Sequence, residues 1–271
     1  MTAARDARDL VRVAMATAAN HVRRSYRYRI AIVQETLYPI LLAPTMYFAY
    51  AAADRGSLGG TDLLDFLAVG MLAVVVWNGT VWSAGFALEH ERAEGTLQAL
   101  LGTKASRSAI VIGYGIGAVA RLAPSLAALG TLAAVTGVRL PTGRLPLAVT
   151  AFAVLMAVCV CAGYAMSALF LFTRNAHNVA TLLNFPIWVL SGALVPSSDL
   201  PGPLAALARC VPMSHALDAL RAATSTRADL TDLLPSMLTA VALAVLCAAA
   251  GRLALRLAER HAQRTGLVDL Y

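Results

Sequence analysis

Charged residues are scarce in this chain of 271 residues: 14% are Asp, Glu, Lys or Arg, and 59% are hydrophobic. Soluble domains carry about 25% charged and about 45–50% apolar residues. The shortage of charge therefore excludes a water-soluble domain and indicates an integral membrane protein. Cysteine is also sparse, with four residues in all. Three of them lie in long apolar runs, where thiols usually pack as small apolar groups, so we predict neither a disulfide framework nor a metal site.

The chain also lacks the residues of a catalytic centre. It has no G-x-x-x-x-G-K-[ST] loop for binding the phosphates of ATP. Its apolar runs contain one glutamate, Glu35, one arginine, Arg121, and no histidine. An intramembrane enzyme needs converging acidic, basic or nucleophilic side chains at membrane depth. No internal repeat of the kind found in many ion-coupled transporters is visible. We therefore predict that this chain is not an enzyme.

Long apolar runs dominate what is present. A membrane-spanning helix needs about 20 mostly apolar residues, and this length predicts an all-α integral membrane protein with six transmembrane helices. Residues 1–29 precede them as a separate segment, and residues 30–271 form one transmembrane domain. The predicted spans are Ile30–Ala52, Phe66–Leu88, Ile110–Gly137, Leu145–Phe172, Val179–Val195 and Leu233–Leu257.

The distribution of basic residues predicts the orientation. Lys and Arg concentrate in cytoplasmic loops, and most of the 22 basic residues fall on the side that holds both termini. Six spans place both termini on one side, so we predict that both are cytoplasmic and that the excess of positive charge reflects topology and not nucleic-acid binding. The residues on that side are Arg5, Arg8, Arg12, Arg23, Arg24, Arg27, Arg29, Arg92, Lys104, Arg107, Arg174, Arg252, Arg256, Arg260 and Arg264.

Residues 1–29 predict an amphipathic helix at the membrane surface. Arginines fall on one side of the helix, and small or apolar residues fall on the other. Such a helix lies in the headgroup layer with its basic side on anionic lipid, although a solvated basic tail is an alternative. The apolar side comprises Ala7, Leu10, Val11, Ala14, Ala18 and Val22.

A charged, helix-prone stretch from Glu89 to Arg107 separates the second and third spans. Its acidic residues come first, its leucines recur at helical spacing, and Lys104 and Arg107 follow near the end, where basic residues favour a helix terminus. The predicted orientation places this stretch in the cytoplasm. It is either an interfacial segment of an ordinary membrane protein or a coupling helix on which a soluble partner docks.

The two ionisable residues in the spans need partners because an isolated charge at membrane depth is costly. Arg121 requires a carboxylate, backbone carbonyls or water, and Glu35 is one possible partner. Glu35 is either a polar point on a transport path or a carboxylate near the interface that pairs with Arg29 or a neighbouring chain. Gly113 and Gly117 in the third span predict a face for close helix packing.

Prolines break the stretch between the fifth and sixth spans. Pro196, Pro201, Pro203 and Pro212 leave pieces too short to cross a membrane. Irregular backbone at membrane depth is tolerated only within protein or beside water. The stretch therefore predicts re-entrant helices that cap the outer side before the last span.

Two local patterns, together with this arrangement of helices, resemble the permeases of type-2 ABC exporters (the ABC-2 membrane family). The first is Glu91-Arg92-x-Glu94-Gly95-Thr96-Leu97-Gln98-x-Leu100-Leu101. The second is Leu190-Ser191-Gly192-x-x-x-Pro196, then Leu200-Pro201, Pro212-Met213-Ser214 and Asp218-x-x-Arg221. Gln98 and Lys104 depart from the family pattern, in which Glu and Pro are common. The resemblance covers nearly the whole chain.

The resemblance implies a permease subunit of an ATP-driven exporter in the bacterial cell membrane, of the kind that confers drug or antibiotic resistance or exports polysaccharides and lipids. A dimer of permeases would rock when two separately encoded ATPase subunits close on ATP and Mg; this chain itself would hold no cofactor. An ATP-independent channel or transporter and a membrane scaffold remain the alternatives. The residues implied in ATPase docking are Glu89, Glu91, Arg92, Glu94, Gly95, Thr96, Leu97, Leu100 and Leu101.

The substrate path is predicted near spans one, two and five. An apolar path with few charges suits a hydrophobic or amphipathic cargo, such as a drug, a lipid or a lipid-linked glycan. Ordinary packing or an interfacial aromatic belt is the alternative role of its candidate residues. These candidates are Trp77, Asn78, Trp82, Asn184, Phe185 and Trp188.

Overall fold

The structure, a computed structural model, describes residues 2–27, 29–95, 107–138, 145–171, 173, 175–225 and 230–265. Within these ranges almost every element is a helix; a two-stranded antiparallel ribbon, β1 (Ser57–Leu58) and β2 (Thr61–Asp62), turns the chain between two of them. The helices are α1 (Thr2–Arg27), α2 (Arg29–Ala52), α3 (Leu63–Gly85), α4 (Ala87–Ala93), α5 (Arg107–Arg121), α6 (Ala123–Thr136), α7 (Leu145–Leu171), α8 (Ala176–Leu190), α9 (Gly202–Ala208), α10 (Pro212–Thr224) and α11 (Leu230–Thr265).

Among the described residues, four helical segments are long and apolar enough to cross a membrane. They are Leu63–Gly85, Ser108–Thr136, Leu145–Phe170 and Leu233–Leu257. They match the predicted second, third, fourth and sixth spans, which confirms an all-α membrane protein. The first predicted span corresponds to α2, a helix of 24 residues that is not among the four. The fifth corresponds to α8, whose 15 residues extend only about 22 Å.

Helix α3 forms the centre of the bundle. Inside the described molecule 72% of its apolar window is buried, compared with 17% for Leu233–Leu257. Its buried side chains include Met71, Val74 and Val76, each fully enclosed by protein. A helix that is apolar all round belongs in the interior of a bundle. The other spans have one buried face and one exposed apolar face, which suits contact with lipid.

The third span is interrupted at its middle by a one-residue break at Leu122, which we call the kink. Helix α5 ends at Arg121 and α6 begins at Ala123, with Pro124 in the first turn of α6. Proline has no N–H to donate and displaces the preceding turn, which accounts for the break. The side chain of Leu122 at the kink packs directly over Gly79 of α3 and is 3% exposed. Any side chain at position 79 would occupy the space of Leu122, so the glycine sets where the kink sits against α3.

Helix α1 packs closely on α5. A Cβ atom added to Gly113 would lie 2.6 Å from the carbonyl oxygen of Ala14, and one added to Gly117 would lie 2.8 Å from that of Ala18. The two backbones therefore approach too closely for any larger residue, which confirms the predicted packing role of these glycines. Ala14 and Ala18 are buried in this seam, but Val11 is 59% exposed and faces away from it.

The stretch between α8 and α11 folds into a turn and two short helices, α9 and α10, as the prolines predict. Gly192, with φ of 81°, reverses the chain after α8. Arg221 of α10 donates a hydrogen bond to the carbonyl oxygen of Gly192 (2.7 Å), and its guanidinium lies 4.0 Å from the centroid of the Phe66 ring. Tyr50 donates to the carbonyl oxygen of Leu194 (2.8 Å). The two parts of the second sequence pattern thus meet in one outer layer.

Candidate functional site

The described part of the predicted docking stretch is helix α4 with Glu94 and Gly95. It continues α3 after a short break at Phe86. Ala87 and Leu88 are buried in a cluster with residues of α5, α7 and α11, so the start of α4 is held firmly against the bundle. Gly95, with φ of 71°, ends the helical stretch. Thr96, Leu97, Leu100 and Leu101 lie outside the described residues.

Glu91 turns into the protein. It is 7% exposed, and its Oε1 atom accepts a hydrogen bond from the hydroxyl of Tyr114 on α5 at 2.8 Å. Hydrogen bonds to a charged group are stronger than those between neutral groups. Glu91 therefore anchors α4 to α5 and does not present its carboxylate to a partner.

Glu94 and Arg92 lie at the surface. The carboxylate of Glu94 forms an ion pair with Arg24 of α1, and the two side chains are 36% and 34% exposed. Arg92 is exposed, whereas Glu89 is half-buried beside Leu88, Ser167 and Phe170. The described residues of the predicted docking stretch thus divide into an inward anchor and an outward surface. Arg92 and the outer edge of Glu94 are the charged groups on that surface.

His21 of α1 lies between α3 and α5. Its Nε2 atom shares a hydrogen bond of 2.9 Å with the hydroxyl of Ser83, and its ring centroid lies 4.7 Å from that of Tyr114. Burial, together with the nearby positive charge of Arg121, lowers the pKa of His21 to about 4. The imidazole is therefore neutral at pH 7. The sequence did not single out His21 or Tyr114 as site residues. The one signal for His21 is its position on the face of α1 that carries the small residues Ala14 and Ala18.

Three of the predicted path residues meet in a hydrogen-bonded group. The indole Nε1 of Trp82 lies 3.2 Å from Oδ1 of Asn78 and 3.2 Å from Oδ1 of Asn184. The side-chain nitrogen of Asn184 donates to Oδ1 of Asn78 at 3.3 Å. The group joins α3 to α8 at a depth where polar groups must satisfy each other. We call Asn78, Trp82 and Asn184 the amide–indole cluster.

Aromatic rings surround the amide–indole cluster. The ring of Trp77 lies 5.9 Å from that of Trp82, and Phe170 stacks on Trp82 at 6.0 Å. Phe86 and Phe170, which the sequence did not single out, stack on each other at 4.8 Å. The remaining two predicted residues contribute no side chain to the hydrogen bonds of the cluster. Trp188 is buried beside Tyr38 of α2, while Phe185 is 59% exposed on the outer face of α8.

Glu35 and Arg121 form an ion pair at the kink of the third span. Arg121 Nη1 lies 2.7 Å from Glu35 Oε1, and the side chains are 9% and 33% exposed. The structure thus pairs Arg121 with Glu35, which is one of the partners that the sequence left open. One turn further along, the hydroxyls of Thr36 and Ser125 share a hydrogen bond of 3.0 Å. Two adjacent polar contacts thus attach α2 to the kink.

No group of three His, Cys, Asp or Glu side chains within the described ranges is placed to hold a metal ion. The four cysteines are free thiols, and Cys159 is buried in α7.

Comparison with known proteins identifies the family. The family model described as "ABC-2 type transporter" matches residues 12–224. The chain belongs to this family. As an ABC-2 protein it is a multi-pass membrane permease, a transporter component that works with an ABC ATPase. It is 26% identical to nodulation protein J of Rhizobium meliloti (strain 1021) over 209 residues, which cover 73% of this chain and 78% of that protein.

A second relative carries the same name. This ABC-2 permease is 31% identical to nodulation protein J of Rhizobium leguminosarum bv. trifolii over 178 residues. The alignment covers 61% of this chain and 63% of that protein. The family match begins within α1 and ends at the last residue of α10, and so includes α4 and the amide–indole cluster.

Proposed function

We propose that this chain is the permease subunit of an ATP-driven exporter, in which motion of a separate ATPase is delivered through the segment that begins at α4. The observation that carries the proposal is the attachment of this segment to the bundle. Glu91 is hydrogen-bonded to α5 and Glu94 is paired with α1. A surface helix without a mechanical role has no need of a buried carboxylate as its anchor, because burying a charge is costly.

The docking surface comprises the exposed groups that follow the anchor. Arg92 and Glu94 are its described charged residues, and the predicted contacts Thr96, Leu97, Leu100 and Leu101 continue it. Two ATPase subunits per complex would bind ATP and Mg, and each would contact one docking surface. Closure of the ATPase pair would move the two surfaces together, and the bundles would follow as rigid bodies.

The proposed topology has six spans with both termini in the cytoplasm of a bacterial cell. Four spans are the long apolar segments of the described chain. The other two are α2 and α8, of which α8 completes its crossing with the turn after Leu190. Arg252 and Arg256 at the end of α11 are exposed, and on this topology they would reach the inner headgroup layer. Arg12, Arg23 and Arg27 of α1 are exposed and would lie at the same surface.

A second permease copy would pack on α2. The outward face of α2 is apolar along its whole length, since Ile30 is 81% exposed, Leu41 65% and Phe48 68%. These residues share one side of the helix, and Val33 and Leu37 extend the same stripe. Tyr38 of α2 contacts Trp188 of α8, and Asn184 of the amide–indole cluster lies one turn before Trp188 on the same helix. We propose that the cargo passes between two such faces, with membrane lipid covering what remains.

The proposed cargo is hydrophobic or amphipathic, such as a drug, a lipid or a lipid-linked glycan. The aromatic rings around Trp82 supply apolar surface, and Asn78 and Asn184 supply amide groups that could exchange their mutual hydrogen bonds for bonds to a cargo.

Purification of the complex from its native membrane tests the proposal. The tagged chain, extracted in mild detergent, should retain an ABC ATPase subunit whose hydrolysis is sensitive to vanadate. Leu97→Asp with Leu100→Asp should release the ATPase, whereas the matched pair Leu204→Asp with Leu207→Asp on α9, at the opposite side, should not. A wild-type preparation without an ATPase would refute the exporter and favour an ATP-independent channel or a scaffold.

A further inference from the structure

The Glu35–Arg121 ion pair stands between two parts of the permease. On one side is the inner unit, which we define as α1, α4 and α5. On the other is α2, whose outward apolar face would meet the second copy. Arg121 is the last residue of α5, and Glu35 lies on α2 near its inner end.

The inner unit is held together by specific contacts. The Gly113 and Gly117 seam fixes α1 against α5, the Tyr114–Glu91 hydrogen bond fixes α4 to α5, and the Arg24–Glu94 ion pair joins α4 to α1. Displacement of α4 by a bound ATPase would therefore carry α1 and α5 with it, because close-packed helices move as units and do not deform continuously.

Besides the chain that joins α1 to α2, the unit reaches α2 through the ion pair at the end of α5, and a second polar contact lies beside it on α6. Arg121 Nη1 bonds Glu35 Oε1 at 2.7 Å, and the Ser125–Thr36 hydrogen bond lies immediately beyond it. Apart from these two polar contacts, α2 meets α3 and α6 through apolar side chains, and such contacts allow sliding because dispersion contacts have no preferred direction. A charged hydrogen bond resists sliding because its geometry is specific.

Stability alone does not account for the pair. The Nε atom of Arg121 is buried and has no hydrogen-bond partner within the described part of the chain. A buried ion pair with an unsatisfied donor stabilises a fold less than two apolar side chains of similar volume would. A mechanical link between α5 and α2 gives the pair a role that stability does not.

We propose that Arg121 and Glu35 are positioning residues that transmit the ATPase-driven movement of the inner unit to α2, and so to the face where the two copies meet. This inference rests on the proposed function. The link acts as a tether at the inner end of α2, near the point where α5 gives way to the kink. It requires no change in the pair itself during the cycle.

An environment-sensitive fluorophore on α2 tests the tether without knowledge of the cargo. The label is placed at Leu41→Cys, which is 65% exposed, in a chain whose four cysteines are replaced by alanine or serine. A second labelled chain, Val245→Cys on α11, serves as the reference, since Val245 is 58% exposed and lies far along the sequence from the kink. ATP with vanadate is added to the purified complex with its ATPase.

The wild-type α2 label should change its emission on trapping. The variant Glu35→Leu with Arg121→Met replaces the pair by apolar side chains and should keep the fold, ATPase binding and hydrolysis but lose at least three quarters of the label change. The exchanged pair, Glu35→Arg with Arg121→Glu, should restore part of it. Arg55→Gln with Asp199→Asn removes an exposed ion pair at 2.9 Å in the outer layer and should leave the change intact.

A full label change in the Leu–Met variant would overturn the inference while leaving the exporter assignment in place. Absence of an ATPase from the wild-type complex would instead refute the proposed function, and the inference with it. A loss of the change in the Arg55–Asp199 control would show that ion pairs on this chain act through general stability, which would also refute a specific tether.

Discussion

Removal of the Tyr114 hydroxyl group should weaken the attachment of α4 to α5 and lower the free energy of unfolding. Tyr114→Phe deletes the donor that lies 2.8 Å from the buried carboxylate of Glu91 and leaves the ring in place. A hydrogen bond to a charged group contributes about 1.5–3 kcal/mol. The same bond between neutral groups contributes about 0.5–1.5 kcal/mol. Tyr164→Phe is the matched control, because Tyr164 is similarly buried and shares a neutral hydrogen bond of 2.7 Å with Ser108.

Reversible unfolding of the purified permease by SDS in mixed micelles gives the free energies. Tyr114→Phe should cost about twice as much as Tyr164→Phe. The double variant Tyr114→Phe with Glu91→Gln should cost less than the sum of its single variants, because both remove the same interaction. Equal costs for the two tyrosines, or full additivity with Glu91→Gln, would refute the assignment of Glu91 as the anchor.

Three further outcomes follow from described contacts and use the same unfolding assay. Because the pKa of His21 falls from 6.5 to about 4 on folding, the unfolded chain binds more protons between those values. The free energy of unfolding should therefore be constant above about pH 6.5 and fall as the pH is lowered towards 4. The variant His21→Gln should show a weaker fall. If the fall in this variant equals that of the wild type, His21 is not its source. Gly117→Ala should destabilise the protein by about 1–3 kcal/mol, because the added Cβ would lie 2.8 Å from the carbonyl oxygen of Ala18. Gly130→Ala should stabilise it by up to about 1 kcal/mol, because a Cβ at this position meets nothing within 4 Å. Similar effects at both sites would refute the close α1–α5 seam. Arg221→Met should lower the free energy of unfolding by more than about 2 kcal/mol, because it removes the hydrogen bond to Gly192 and the contact with the ring of Phe66. Arg55→Gln, in an exposed ion pair, should lower it by less than about 1 kcal/mol. A larger loss for Arg55→Gln than for Arg221→Met would contradict the role of Arg221 in holding the turn.

Several features of the fold could be predicted from sequence because they depend on composition or local spacing. Long apolar runs predict spans, and prolines at 196, 201, 203 and 212 predict the broken outer layer. Gly113 and Gly117 predict a close seam, because small residues four apart on a helix let the backbone of a neighbouring helix approach closely. The Glu35–Arg121 pairing could be predicted because apolar surroundings leave few partners for a charge.

Other features depend on contacts between distant segments and were not predicted. The inward turn of Glu91 requires Tyr114 to arrive from α5, which the pattern of α4 does not encode. Val11 was predicted on the apolar side of α1 with Ala14 and Ala18, but among the described residues of that side only these two alanines are buried in the seam, and Val11 is exposed. A helical wheel separates apolar from polar positions; it cannot distinguish a face that meets protein from one that meets lipid.

The amide–indole cluster shows the same limit at the candidate path. Asn78 and Trp82 lie four residues apart on α3 and so share a helix face, which the sequence shows. Their bond to Asn184 depends on how α8 is placed beside α3. The roles of these residues in transport remain predictions.

The α1–α5 seam has a consequence for how this protein can be altered. A chain shortened to begin at α2 would uncover a groove lined by Gly113 and Gly117 and would deprive Glu94 of Arg24. The exposed strip of backbone would attract any apolar helix of small residues, including one from another molecule. The first helix therefore also shields its neighbours from mispairing, and fusion partners are better attached beyond α11 than in place of α1.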